Sequence, residues 1–136
     1  MDFPSDLELT KELCDYFGAE HGAGSIIGGG DEGKKAQITV TKKFERPIVE
    51  ALFPDIPTGT KEELGSACMK RFRSFPSGVW IELPLLYRPG GERDELRLYM
   101  NRGTFRPQTG MYWFVFERDG EPWLAALNEE ELLALH

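Results

Sequence analysis

The sequence predicts a mostly β domain with short helices, an α+β fold of about six to seven strands in a small, mostly antiparallel barrel or curled sheet. Three observations carry this reading. Beyond residue 66 the apolar runs are short, β-branched or aromatic, and bounded by turn residues. Asp119–Gly120 joins two of them, which is a strong hairpin signal. The helical patterns stand between and after strands without βαβ repetition, so nothing asks for a parallel sheet.

Taken in order, Ser5 and Glu8 have capping-box spacing, and Leu9, Leu13, Tyr16 and Phe17 recur at helical intervals, which predicts an amphipathic helix over 6–17. The stretch "IIGGGDEGKKAQITV" (26–40) reads as a glycine-rich loop leading into a strand near 36–43. In "RPIVEALFPDIP", Pro47 suits a first helical turn, Ile48, Val49, Leu52 and Phe53 form a buried face, and Pro54 stops the helix. Then follow the β runs: "SACMKRFRSF" (66–75) ending at "PSG", "VWIELPLLY" (79–87), a loop at "RPGGERDE", and "LRLYMN" (96–101). "MYWFVFE" (111–117) and "EPWLAAL" (121–127) flank the Asp119–Gly120 turn, and Asn128 caps a closing helix "EEELLALH".

A chain of 136 residues with 40% hydrophobic content supports one core, so residues 1–136 are expected to form a single domain. No apolar run reaches the roughly 18 residues of a membrane span. The start "MDFPSDLEL" is acidic where a secretory leader is basic and then apolar, so a cytoplasmic protein without a membrane partner is expected. Cys14 and Cys68, far apart and with one histidine, His21, between them, suggest reduced thiols rather than a disulfide framework or zinc site. The formal net charge of −7 is unevenly spread: residues 1–33 carry one Lys against eight acids, 34–106 fourteen Lys/Arg against nine acids, and 107–136 one Arg against six acids. A basic middle between acidic ends fits either an ordinary solvated face or one reserved basic surface.

Several motifs fall short of chemistry. From Gly28 the chain spells G-x-x-x-x-G-K, but Lys35 stands where a P-loop needs a hydroxyl for Mg²⁺, and a strand follows where a helix is required. Asp31 and Glu32 would repel a polyphosphate, and the segment is left as either a connecting loop or an arm. Glu32-x-Lys34 resembles half of a nuclease metal site, yet Asp55 is not followed by the acid-x-lysine half that would complete one. No catalytic residue and no metal ligand is nominated. Tyr112, Trp113, Phe114 and Phe116 could stack on bases, but their alternation puts aromatics on both strand faces, which favours core packing. The segment "YMNRGTFRPQTG" (99–110) contains no acid and offers Asn101, Arg102, Thr104, Arg106 and Gln108. Arg reads guanine, Asn and Gln read adenine, and Thr contacts phosphate, so the choice here lies between a polar loop and a DNA-reading one.

In "PIVEALFPDI" (47–56), "DELRLYMNR" (94–102), "MYWFVFERDGEPWLAAL" (111–127) and "NEEELLAL" (128–135), the sequence resembles the N-terminal effector domain of EcoRII-type restriction endonucleases. That domain is a DNA-binding pseudobarrel similar to the plant B-three transcription-factor domain. The similarity runs loosely from about residue 8 to 135. It implies two arms gripping duplex DNA from the major groove, falling here on residues 21–37 and 101–110, and a CC(A/T)GG-like target. The contacts it implies are Asp31, Glu32, Lys34, Lys35 and Gln37 in the first arm, and Asn101, Arg102, Thr104, Arg106 and Gln108 in the second. The two acids would accept hydrogen bonds from cytosine amino groups. The resemblance further implies a bacterial restriction–modification protein of which this chain is the N-terminal part. Cleavage and its Mg²⁺ would belong to a separate nuclease domain of a longer chain, with no enzyme activity and no cofactor in this one. The second arm is shorter and less basic than the family's. The alternative is an acidic protein-interaction or inhibitor module with no role in reading DNA.

Overall fold

The computed structural model describes residues 4–28, 36–41, 43–90 and 94–135. Eight strands form one sheet in the order β1-β2-β7-β8-β4-β5-β6-β3. They are β1 (Asp6–Glu8), β2 (His21–Ile26), β3 (Gln37–Thr39), β4 (Met69–Ser74), β5 (Val79–Arg88), β6 (Glu95–Tyr99), β7 (Tyr112–Arg118) and β8 (Glu121–Leu127). Neighbours run antiparallel except β4 and β8, which pair in parallel at Arg73↔Trp123 and Ser74↔Leu124. The expected mostly β fold with short helices is observed, with eight strands rather than six to seven. The sheet ends in two edges, β1 and β3, and is not closed.

The first departure is at the N-terminus. Residues 6–8 are an edge strand whose Leu7 faces Gly24, and the helix α1 spans only Lys11–Phe17. Leu7 and Leu9 fit a strand period as well as a helical one, and Thr10 competes with Ser5 as cap. Its hydroxyl accepts from the Leu13 amide at 3.2 Å and sets the helix start there.

The second departure is β2, "HGAGSI", in the first half of the expected arm at 21–37. This composition is poor for a strand, and packing overrides it. β2 lies between β1 and β7, and a Cβ added at Gly22 would stand 2.5 Å from Cβ of Phe116. At Gly24 it would stand 2.4 Å from both Cδ1 of Phe114 and the Trp113 carbonyl oxygen. The glycines let the β7 rings close over the strand. Residues 21–26 of the expected arm therefore belong to the sheet.

β7 divides two cores. Trp113 and Val115 face one that also holds Ile38, Phe72, Leu83, Leu96, Leu98 and Phe105 and is covered by α2 (Glu45–Leu52) through Val49. Tyr112, Phe114 and Phe116 face the other, where Phe17 of α1 stacks on Phe116 at 4.8 Å and Leu132 of the closing helix completes the cover. The aromatics considered for base stacking are at most 3% exposed and are structural. A short helix α3 (Lys61–Leu64), capped by Thr60, covers the outer side of β5 and β6 through Leu64. The β7–β8 turn has positive φ at both Asp119 (53°) and Gly120 (74°), as a type I′ hairpin requires. The last helix, α4 (Glu129–Ala134), starts with a reciprocal capping box between Asn128 and Glu131.

Candidate nucleic-acid interface

The loops that follow β2 and β6 leave the sheet side by side. Ile27 donates its amide to the Met111 carbonyl at 2.8 Å, Gly110 donates back to Ile27 at 3.0 Å, and the Thr109 hydroxyl reaches the Gly28 carbonyl at 3.4 Å. At the far root Met100 donates to the Ala36 carbonyl at 2.6 Å, one step beyond the pairing of Gln37 with Tyr99. The two segments nominated separately in the sequence are thus laced together at both ends. Asp31, Glu32, Lys34 and Lys35 lie outside the described residues.

The second loop opens with a tight turn. Asn101 and Phe105 bridge antiparallel, with amide-to-carbonyl distances of 2.9 and 3.0 Å, and Gly103 at φ 86° turns the chain between them. The Thr104 hydroxyl donates to the Asn101 carbonyl at 3.1 Å. Phe105 and Pro107 are buried and anchor the loop, leaving Asn101, Arg102, Thr104, Gln108 and Thr109 exposed and Arg106 half-buried. Arg102, Gly103, Arg106, Pro107, Gln108 and Thr109 line a surface cleft of about 560 Å³. Two guanidiniums and an amide, with no acid among the described lining residues, suit phosphate oxygens and base edges. Among the described residues lining the cleft there is no Asp, Glu, His or Cys.

Comparison with known proteins finds no matching family model, no similar curated protein and no similar solved structure.

Not every nominated residue joins this cleft. Gln37 sits half-buried on β3 at the loop root, on the face opposite Ile38, and does not line it. Gly103, Pro107 and Thr109 do line it and were missed. The signal for Gly103 was its place in an acid-free turn, and for Thr109 its place before Gly110, which has φ 90°. The basic middle of the sequence does not make one uniform surface. Arg46 pairs with Glu50, Lys70 with Asp55, Arg73 with Glu121 and Arg97 with Glu95. Burial pushes the Glu95 carboxyl up, but hydrogen bonds from Thr39 and Arg97 outweigh it and hold it below the ordinary range.

The remaining reactive groups are scattered. His21 contacts Glu117 at 3.1 Å, Cys68 is buried with its thiol pushed up by desolvation, and Cys14 is half-buried. Among the described residues no group of three or more His, Cys, Asp or Glu side chains could hold a metal ion, and no helix is long and apolar enough to cross a membrane.

Proposed function

We propose that the chain binds double-stranded DNA sequence-specifically, as the target-recognition or effector domain of an EcoRII-type restriction endonuclease, folded as that family's pseudobarrel and reading a CC(A/T)GG-like site. The observation that carries this reading is the hydrogen bonding of residues 27 and 36 to residues 110, 111 and 100, beside a cleft whose described lining carries two arginines and no acid. A major groove about 12 Å wide admits a two-stranded ribbon, and the bridged turn from Asn101 to Phe105 is a narrow one. In this reading Arg102 and Arg106 contact guanine or phosphate and Asn101, Thr104 and Gln108 complete the readout. Asp31, Glu32, Lys34, Lys35 and Gln37 contribute from the first loop. The chain itself binds without cutting, in the bacterial cytoplasm, and Mg²⁺-dependent cleavage belongs to a nuclease domain of a longer chain.

Charge reversal tests it: R102E/R106E should abolish binding to a CC(A/T)GG duplex in a fluorescence-anisotropy titration while leaving the circular dichroism spectrum unchanged. Retained binding would remove the loop from the interface.

One observation favours a second reading, a protein-interaction module. Trp80 is flanked by the guanidiniums of Arg71 and Arg73 at 4.7 and 4.2 Å, beside Val79, which is 60% exposed. Trp and Arg dominate protein–protein hot spots. Under that reading the substitution Trp80→Ala, not R102E/R106E, abolishes the biologically relevant contact.

A further inference from the structure

The helix α2 begins on a charged residue that the fold hides. Glu45, in the stretch "TKKFERP" (41–47) where three cations would suit a solvated turn, is 0% exposed. Its Oε2 accepts from the Thr41 amide at 3.0 Å and from the Thr41 hydroxyl. Its Oε1 is buried and has no hydrogen-bond partner among the described residues. Below α2 the sheet presents Asp6, Ser25 and Trp113, which stand opposite one another across β1, β2 and β7 and so share a face. The Trp113 indole N–H donates to the Ser25 hydroxyl at 2.8 Å.

No described cation answers this carboxyl. On the sheet face below α2, β1 carries Asp6 and Glu8, β2 carries His21 and β7 carries Glu117, and the last two contact each other at the opposite end of β2 from Ser25. On α2 itself Arg46 pairs with Glu50, and Lys43 lies over the Phe44 ring at 4.9 Å. Of these groups Asp6 alone acts on Glu45, and it is a like charge. A carboxyl buried without a counter-ion takes up a proton rather than stay ionised. Burial pushes the Glu45 carboxyl up, the Thr41 bonds and the Ser25 hydroxyl oppose the rise, and the Asp6 charge adds to it. Protonated, the orphaned Oε1 becomes a donor in a cluster where the Asp6 carboxylate and the Ser25 hydroxyl can accept. We propose that Glu45 is a proton-operated latch: as a neutral acid it holds the start of α2 down on β1 and β2, and loss of the proton releases that contact. A route for water lies close by. Asp6, Ser25 and Thr41 line a pocket of about 340 Å³, and Glu45 stands behind them without lining it. Gly28, at the root of the first loop, lines the same pocket, so release of the latch loosens that root as well.

The test uses the full chain without DNA, so its failure leaves the DNA-binding reading untouched. With its folded pKa raised, Glu45 contributes stability that is complete below the unfolded value of about 4.3 and is lost as pH rises towards the folded one. In urea titrations at a series of pH values, the folding equilibrium constant of wild type should fall within that window by up to about tenfold per pH unit relative to Glu45→Gln. The glutamine keeps the neutral shape and should lack this loss. Amide hydrogen exchange over residues 6–8 and 45–52 should quicken across the same window beyond its intrinsic rise with pH, in wild type and not in Glu45→Gln, which a buried but static acid would not produce. If Glu45→Gln does not fold, the wild type decides. A ¹³C-labelled Glu45 carboxyl should then titrate above the ordinary carboxylate range, and the Trp113 indole N–H resonance should move with the same midpoint, because its acceptor is Ser25. A stability gap between the two proteins that is constant with pH overturns the proposal. So does exchange that ignores the protonation step, or a Glu45 carboxyl that titrates in the ordinary range.

Discussion

Gly24→Ala separates the two accounts of the segment "HGAGSI". As part of an arm lying in a groove, position 24 could take a methyl group at little cost to folding. As the middle of β2 it cannot, because the new Cβ would lie 2.4 Å from both the Trp113 carbonyl oxygen and Cδ1 of Phe114. Ordinary contacts begin about 1 Å farther out. The ring can swing only into a packed core, and the carbonyl belongs to the neighbouring strand, so the two strands must part. Overpacking of this kind costs about 1–3 kcal/mol, from which the reduced entropy of an unfolded alanine chain recovers about 0.4–1 kcal/mol. At the midpoints of these ranges the net loss is about 1.3 kcal/mol, or a fall of about 4–6 °C in Tm for a domain of this size. Thermal unfolding followed by circular dichroism reads it directly, and a urea titration should move the midpoint at constant slope. An unchanged melting temperature would refute the strand assignment and the packing argument together.

Single truncations at the second loop sort its arginines by role. Arg102→Ala or Arg106→Ala should cost about 1–3 kcal/mol of binding to the preferred duplex if the residue reads guanine, and lower the salt slope by about one with sequence preference kept if it contacts phosphate. Acid stability supplies a separate check on the β3–β6 pair. The Glu95 carboxyl is held below its unfolded value, so its contribution is present above the unfolded pKa of about 4.3 and fades as pH falls through the lower folded value. Glu95→Gln should lower the urea midpoint at pH 7 and leave it nearly equal to wild type at strongly acidic pH. A constant gap between the two proteins across that range would contradict the assignment.

The elements readable in the sequence are those made by neighbours along the chain. The β7–β8 hairpin follows from two residues that tolerate positive φ, α4 from an Asn128–Glu131 capping box, and β5 and β6 from apolar patterning around a loop. β2 was illegible because its reason for existing is non-local: the Phe114 and Phe116 rings that its glycines accommodate come about ninety positions later. The parallel β4–β8 contact is long-range too, and no turn chemistry announces it. α3 escaped although Thr60 and Glu63 have capping-box spacing, because a helix of four residues carries no periodicity to detect. At the candidate interface, composition found segment 101–110. Its partnership with residues 27–28 and 36 rests on backbone hydrogen bonds across the sheet, which side-chain identities do not encode.

The central claim is sequence-specific recognition of duplex DNA, and an equilibrium titration of the unmodified chain at several salt concentrations tests it most directly. One duplex carries CC(A/T)GG and the other the same bases scrambled. Specific binding predicts a preference of at least about 10³ for the first duplex that persists as salt weakens both complexes. Equal, weak binding to the two duplexes, or none to either, would contradict it.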